Sequence, residues 1–121
     1  MYEYRAEYLS NYDGDTITFM IDLGFKTFQK VRVRLSKVDT EEIRNMKDSV
    51  AEKIELGFKA KNFVQEALST AEMITIQTIK DKTGSFGRYL ADVLYIPKGT
   101  NQEVSLSKVL LNEGLAVEYK R

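Results

Sequence analysis

Three short stretches of the chain combine residue types that could do chemistry on an anion. Asp13-Gly14-Asp15-Thr16 sets two carboxylates around a glycine. One reading is a tight turn, because glycine accepts positive φ and aspartate closes turns. The other reading starts from parity. Asp15 keeps step with Ile17 and Phe19, which puts a carboxylate on the inward side at a strand's start. That position is costly unless the group is paired or bound to a cation. Residues 34–42 read Arg-Leu-Ser-Lys-Val-Asp-Thr-Glu-Glu. Charge runs of this kind are commonly solvated loops. Alternatively, Asp39 joins Asp15 around a hard cation such as calcium, which takes oxygen ligands only, and a neighbouring glutamate orients a water. The third stretch is Gly84-Ser85-Phe86-Gly87-Arg88. It is either a glycine-rich hairpin carrying a surface charge, or a loop that bends around a ligand while Arg88 offers phosphate its planar fork.

What the chain lacks narrows the chemistry further. It has no cysteine and no histidine, which excludes disulfides, thiolate metal sites, cysteine nucleophiles and serine–histidine arrangements. Hydrolysis would have to run on carboxylates, lysine, tyrosine or a hard metal with oxygen ligands. Lysine and arginine number 18, as do aspartate and glutamate, and the pI is about 6.3. If phosphate is the target, positive charge must be local rather than global.

The elements that would position these residues follow from periodicity. With 121 residues, 43% hydrophobic and 30% charged, the chain reads as one globular domain over residues 1–121. Residues 3–13 and 16–23 read as strands, with Ile17, Phe19 and Ile21 on one face and Thr16, Thr18 and Asp22 on the other. Gly24 supplies a hairpin tip. Residues 29–35 alternate again, with Val31, Val33 and Leu35 against Lys30, Arg32 and Arg34. Residues 44–50 are polar and predict a loop. From 52 to 71 the period becomes helical, along Leu56, Ala60, Phe63, Val64, Ala67, Leu68 and Ala71. Residues 73–79 predict a strand, 81–84 a turn and 88–96 a fifth strand. Ser105 can cap a short helix over 106–113, which Gly114 ends. The order β-β-β-α-β-β-α is that of a β-rich α+β domain, a five-stranded OB-fold barrel, although many small α+β domains share it; OB-fold barrels bind oligonucleotides across one face.

Taken together, D-G-D-T, then R-x4-D-T-x-E, then F-G-R after a helix and a strand, with Asn112-Glu113-Gly114-Leu115-Ala116 near the end, resemble the staphylococcal nuclease family over nearly the whole chain. The resemblance implies roles. Asp15 and Asp39 would bind one calcium ion through their carboxylates, and Thr40 would add its main-chain carbonyl. Glu42 would be the general base, and Arg34 and Arg88 would grip the phosphate. It also implies the activity: a nuclease that cuts DNA and RNA at the bond to the 5′-oxygen and leaves a 3′-phosphate.

The sequence also departs from the family pattern. Glu41 stands where the family usually has proline, adding a negative charge beside the site. Ser85 and Phe86 replace a basic residue and a tyrosine. The hairpin is longer over residues 24–29, and Tyr119 takes the place of one of the family's substrate-stacking tyrosines. A rival on the same fold is a catalytically inactive nucleic-acid binding module, though the five candidate carboxylates and arginines are all kept. Another is a protein-interaction domain using Tyr4, Tyr8, Phe25 and Phe28. The N-terminal segment has no apolar core of a signal peptide and no run reaches membrane-spanning length. The expectation is therefore a cytoplasmic monomer without a membrane partner, unless a leader has been removed.

Overall fold

The computed structural model describes residues 2–41, 51–83 and 89–119. The expected loop at 44–50 and the glycine-rich stretch at 84–88 lie outside these residues. Five strands form the barrel: β1 (Tyr2–Asn11), β2 (Thr16–Asp22), β3 (Phe28–Leu35), β5 (Met73–Thr83) and β6 (Tyr89–Ile96). Between β3 and β5 run the short strand β4 (Val38–Thr40) and helix α1 (Ala51–Ser69). After β6 come β7 (Val104–Ser105), helix α2 (Leu106–Asn112) and β8 (Ala116–Glu118). Antiparallel pairing links β3 to β2, β2 to β1, β1 to β5 and β5 to β6. The ring closes where Val33, Arg34 and Leu35 of β3 run parallel to Tyr89, Leu90 and Ala91 of β6. This is an OB-fold barrel, β-rich with two helices among the described residues.

Strand alternation decides what fills it. Ile17, Phe19 and Ile21 of β2 are buried together with Val33 and Leu35 of β3. From β5 the inward residues are Ile74 and Ile76, leaving Met73 40% exposed, and from β6 they are Ala91, Val93 and Tyr95. Helix α1 lays Ala60, Val64 and Leu68 into the same core, the i, i+4, i+8 stripe its sequence carries. Ser105 caps α2 through its hydroxyl, which accepts from the Lys108 amide. Gly114, at φ 72°, turns the chain out of that helix.

The structure adjusts the sequence reading in three places. Strand β5 continues through Asp81, Lys82 and Thr83, where turn-forming composition predicts a turn, and Thr83 pairs with Tyr89 after a shift in register. Thr16 is buried rather than on an outer polar face, because its amide is held at the turn that opens β2. Residues 38–40, within the charged run for which a solvated loop was one reading, form β4 and pair antiparallel with β8: Val38 with Glu118, Asp39 with Val117, Thr40 with Ala116. The C-terminal segment is thereby laid along Asp39 and Thr40. No helix among the described residues is long and apolar enough to cross a membrane.

The turn at Asn11–Thr16 meets α1 and β4 without room to spare. A Cβ on Gly14 would stand 2.7 Å from Thr40 Cγ2 and 2.8 Å from Ala60 Cβ. Neither neighbour can swing away, since one is a branched side chain in a strand and the other is fixed to a helix backbone. Gly14→Ala is expected to lower stability by about 1–3 kcal/mol through overpacking, read by urea unfolding. Equal stability would mean that this junction is looser than described.

Candidate functional site

Three segments converge at one mouth of the barrel. The turn before β2 brings Asp15, the end of β3 brings Arg34, and β4 brings Asp39 and Thr40. Asp13 shapes the first segment. One of its carboxylate oxygens accepts from the amides of Asp15 at 3.1 Å and Thr16 at 2.8 Å, the aspartate-closed turn that its sequence predicts. Asn11 ties this turn to α1, donating to the Asp13 carbonyl and to the Lys61 carbonyl, each at 3.0 Å, while its own oxygen accepts from the Tyr8 hydroxyl. The Asp15 carbonyl accepts from the Leu35 amide at 2.9 Å, which sets the start of β2 against the end of β3.

Arg34 is the hub. Its side chain is 13% exposed. One terminal nitrogen donates to the carbonyls of Leu35 and Val38, and the other lies against both carboxylates, in a hydrogen-bonded ion pair with Asp39 and 3.4 Å from Asp15 Oδ2. The Tyr119 ring packs over the guanidinium, 5.0 Å from its carbon, a cation–π arrangement. Tyr119 is placed there by its amide, which donates to the Lys37 carbonyl at 2.9 Å, next to the β4–β8 pairing. Asp15 Oδ2 also accepts from the Thr40 amide at 3.0 Å. The Thr40 hydroxyl oxygen is buried with no hydrogen-bond partner among the described residues. Alongside lies a groove of about 170 Å³ lined by Asp39, Thr40, Glu41, Leu56, Leu115 and Val117 among others.

The electrostatics of Asp15 follow from its place. Burial pushes its carboxyl up to about 6, and the Asp13 carboxylate beside it acts in the same direction. The Thr40 amide and the Arg34 guanidinium pull it back only in part. Asp15 therefore stays short of positive charge even with an arginine next to it.

Of the residues singled out in the sequence, Asp15, Arg34, Asp39, Thr40 and Tyr119 come together here. Glu42 and Arg88 lie outside the described residues, as do Ser85 and Phe86. Among the described residues no group of three or more acidic side chains forms a metal cage; Asp15 and Asp39 are a pair. The part Asn11 plays went unread in the sequence, whereas the turn that Asp13 closes was read. Asp13 left a signal, because an aspartate two and three residues before the amides it binds is the aspartate-turn pattern. Asn11 left none, since its partner Lys61 is fifty positions away. Of the aromatics proposed for a protein-binding face, Tyr4 and Tyr8 pack half-buried against the core, whereas Phe25 and Phe28 are 102% and 59% exposed.

A family model for staphylococcal nuclease homologues matches residues 32–121, and the chain belongs to this family. A search of curated proteins gives no match.

The titration of Asp15 has a consequence for stability. A carboxyl raised from 3.8 to about 6 on folding holds its proton more tightly in the folded state, so its contribution falls as pH rises through that interval. In metal-free protein, Asp15→Asn is expected to melt higher than wild type at pH 7.5. The difference should shrink as pH falls towards 4, where both side chains are neutral. A variant less stable than wild type at pH 7.5 would show that Arg34 and Thr40 outweigh burial.

Proposed function

We propose that the chain is a calcium-dependent nuclease that hydrolyses phosphodiester bonds of DNA and RNA without regard to sugar, leaving 3′-phosphates. The observation that carries this reading is the sharing of one guanidinium, that of Arg34, by Asp15 and Asp39 at the barrel mouth, in a member of this family.

The donor set fits a hard cation. Asp15 and Asp39 would offer carboxylate oxygens and Thr40 its main-chain oxygen, and imidazole and thiolate ligands are lacking altogether in a chain without histidine or cysteine. The raised Asp15 carboxyl supports the same point, since burial has left it wanting positive charge that Arg34 supplies only in part. When bound, calcium would add positive charge beside the phosphate and make nearby water more acidic. The remaining work falls to side chains. Arg34 and Arg88 hold the phosphate oxygens and offset charge as phosphorus becomes five-coordinate. Glu42 accepts a proton from the attacking water. Tyr119 holds its ring over the Arg34 guanidinium and offers a face to a base. A site of this make-up reads phosphate rather than base edges, in keeping with DNA and RNA both serving as substrates.

The test is to incubate the chain with single-stranded DNA, with and without millimolar calcium, beside Glu42→Gln. Wild type should cut only with calcium, and the variant should be slower by about 10²–10⁴-fold, the usual worth of a general base. DNA that is bound but uncut would replace the enzyme with a binding module on the same barrel. Equal cutting by both proteins would remove Glu42 from its role.

A further inference from the structure

The outer face of β3 carries a row of positive charge that leads away from the site. Lys30, Arg32 and Arg34 occupy alternate positions and so point the same way, about 6.7 Å apart along the strand. Arg34 is committed to Asp15 and Asp39. Lys30 and Arg32 are exposed, and neither has a hydrogen bond or ion pair among the described residues. On β2 the residues opposite them are uncharged: Thr18 faces Arg32, and Met20 faces Lys30. Among the described residues, the acidic groups of the neighbouring strands that share this face are set apart. Glu7 lies opposite Met20 on β1, two strand spacings or about 9–10 Å from Lys30. Asp22 opposes Phe28 and is engaged by the Gly24 amide at 2.8 Å. In a chain with as many acidic as basic residues, three basic side chains in line on one strand face are a local segregation of charge.

The far end of the row is aromatic. Phe28 continues the same face and is 59% exposed, and Phe25 at the hairpin tip is 102% exposed. The tip is held in a conformation that disfavours these side chains. The Thr27 amide bonds to the Gly24 carbonyl at 2.9 Å, and the residues between, Phe25 and Lys26, have φ of 54° and 60°. Positive φ at both central positions of such a turn normally selects Asn-Gly. Phenylalanine and lysine side chains are strained in that region of backbone conformation. Strain of this kind, stored to hold an aromatic ring fully in solvent, points to something that the ring contacts.

We infer that the outer face of β3 and the β2–β3 tip form a binding track for single-stranded nucleic acid. Lys30 and Arg32 pair with successive phosphates next to the scissile one, and Phe28 and Phe25 stack its bases. The step between alternate residues of a strand is close to that between phosphates of an extended single strand, so one charge meets each phosphate. Unstacked bases are the partners that exposed aromatic rings accept, which selects single strands over duplex. This inference rests on reading the Arg34 site as a phosphodiesterase centre.

The test measures binding in EDTA, by fluorescence anisotropy, of a labelled single strand of about twelve nucleotides and of its duplex. Proteins compared are wild type, Lys30→Ser/Arg32→Ser and Phe25→Ala/Phe28→Ala, each checked for an unchanged circular-dichroism spectrum. Wild type should bind the single strand more tightly than the duplex. The charge variant should bind at least tenfold more weakly. Its slope of log affinity against log salt should be shallower by about 1.4, because two phosphates are no longer neutralised. The aromatic variant should bind at least fivefold more weakly with the slope retained. Variants that bind as wild type does would overturn the track. So would wild type that ignores the strand or prefers duplex. Cutting by wild type with calcium is assayed alongside. Its absence would count against the phosphodiesterase reading, while binding in EDTA still decides the track.

Discussion

The site depends on a guanidinium held between two carboxylates where three segments of chain meet. Neither half of that arrangement is stable by itself. A carboxylate as buried as Asp15 is expensive without a cation, and an arginine as enclosed as Arg34 is expensive without an anion. Their meeting fixes the start of β2, the end of β3 and the strand β4 relative to one another. The rest of the fold makes that meeting possible. The barrel closes through parallel pairing at Val33, Arg34 and Leu35, so Arg34 sits at the seam. Helix α1 reaches the turn because Gly14 has no side chain, and Asn11 fastens the two together.

The same arrangement accounts for what the site can do. Arg34 holds the carboxylates with one of its terminal nitrogens and the carbonyls of Leu35 and Val38 with the other. A divalent cation taking over the carboxylates would free the first of these for phosphate without moving the arginine's anchor. Under the proposed function, the pocket would exchange a fixed internal cation for a bound one. The β4–β8 pairing brings Tyr119 over the guanidinium, which limits where Arg34 can turn and, under the proposed function, the direction from which phosphate would be met.

Much of the barrel was legible because its strands have a two-residue period. The parity of Ile17, Phe19 and Ile21 carried through to Asp15, and burial of all four agrees with it. The helical stripe of Ala60, Val64 and Leu68 was equally plain. What escaped were elements too short to show a period. Strands β4 and β8 span three residues each and exist only because they pair with each other. Asp81, Lys82 and Thr83 have turn-forming composition yet stay in a strand, because cross-strand pairing overrides local preference. Periodicity put Asp15 inward and Arg34 on its strand's other face, but only the order of the motifs suggested that they share a site with Asp39. Asn11 depends on a contact with Lys61, which no local pattern announces.

The most direct test of the account is thermal melting with increasing calcium, comparing wild type with Asp39→Asn. If Asp15 and Asp39 share a cation site, calcium should raise the wild-type melting temperature. The gain should approach about 2.7 kcal/mol of stability at a hundred times the dissociation constant, and Asp39→Asn should lose most of it. A calcium response that is absent from wild type, or equal in the two proteins, would contradict a cation site built on these carboxylates.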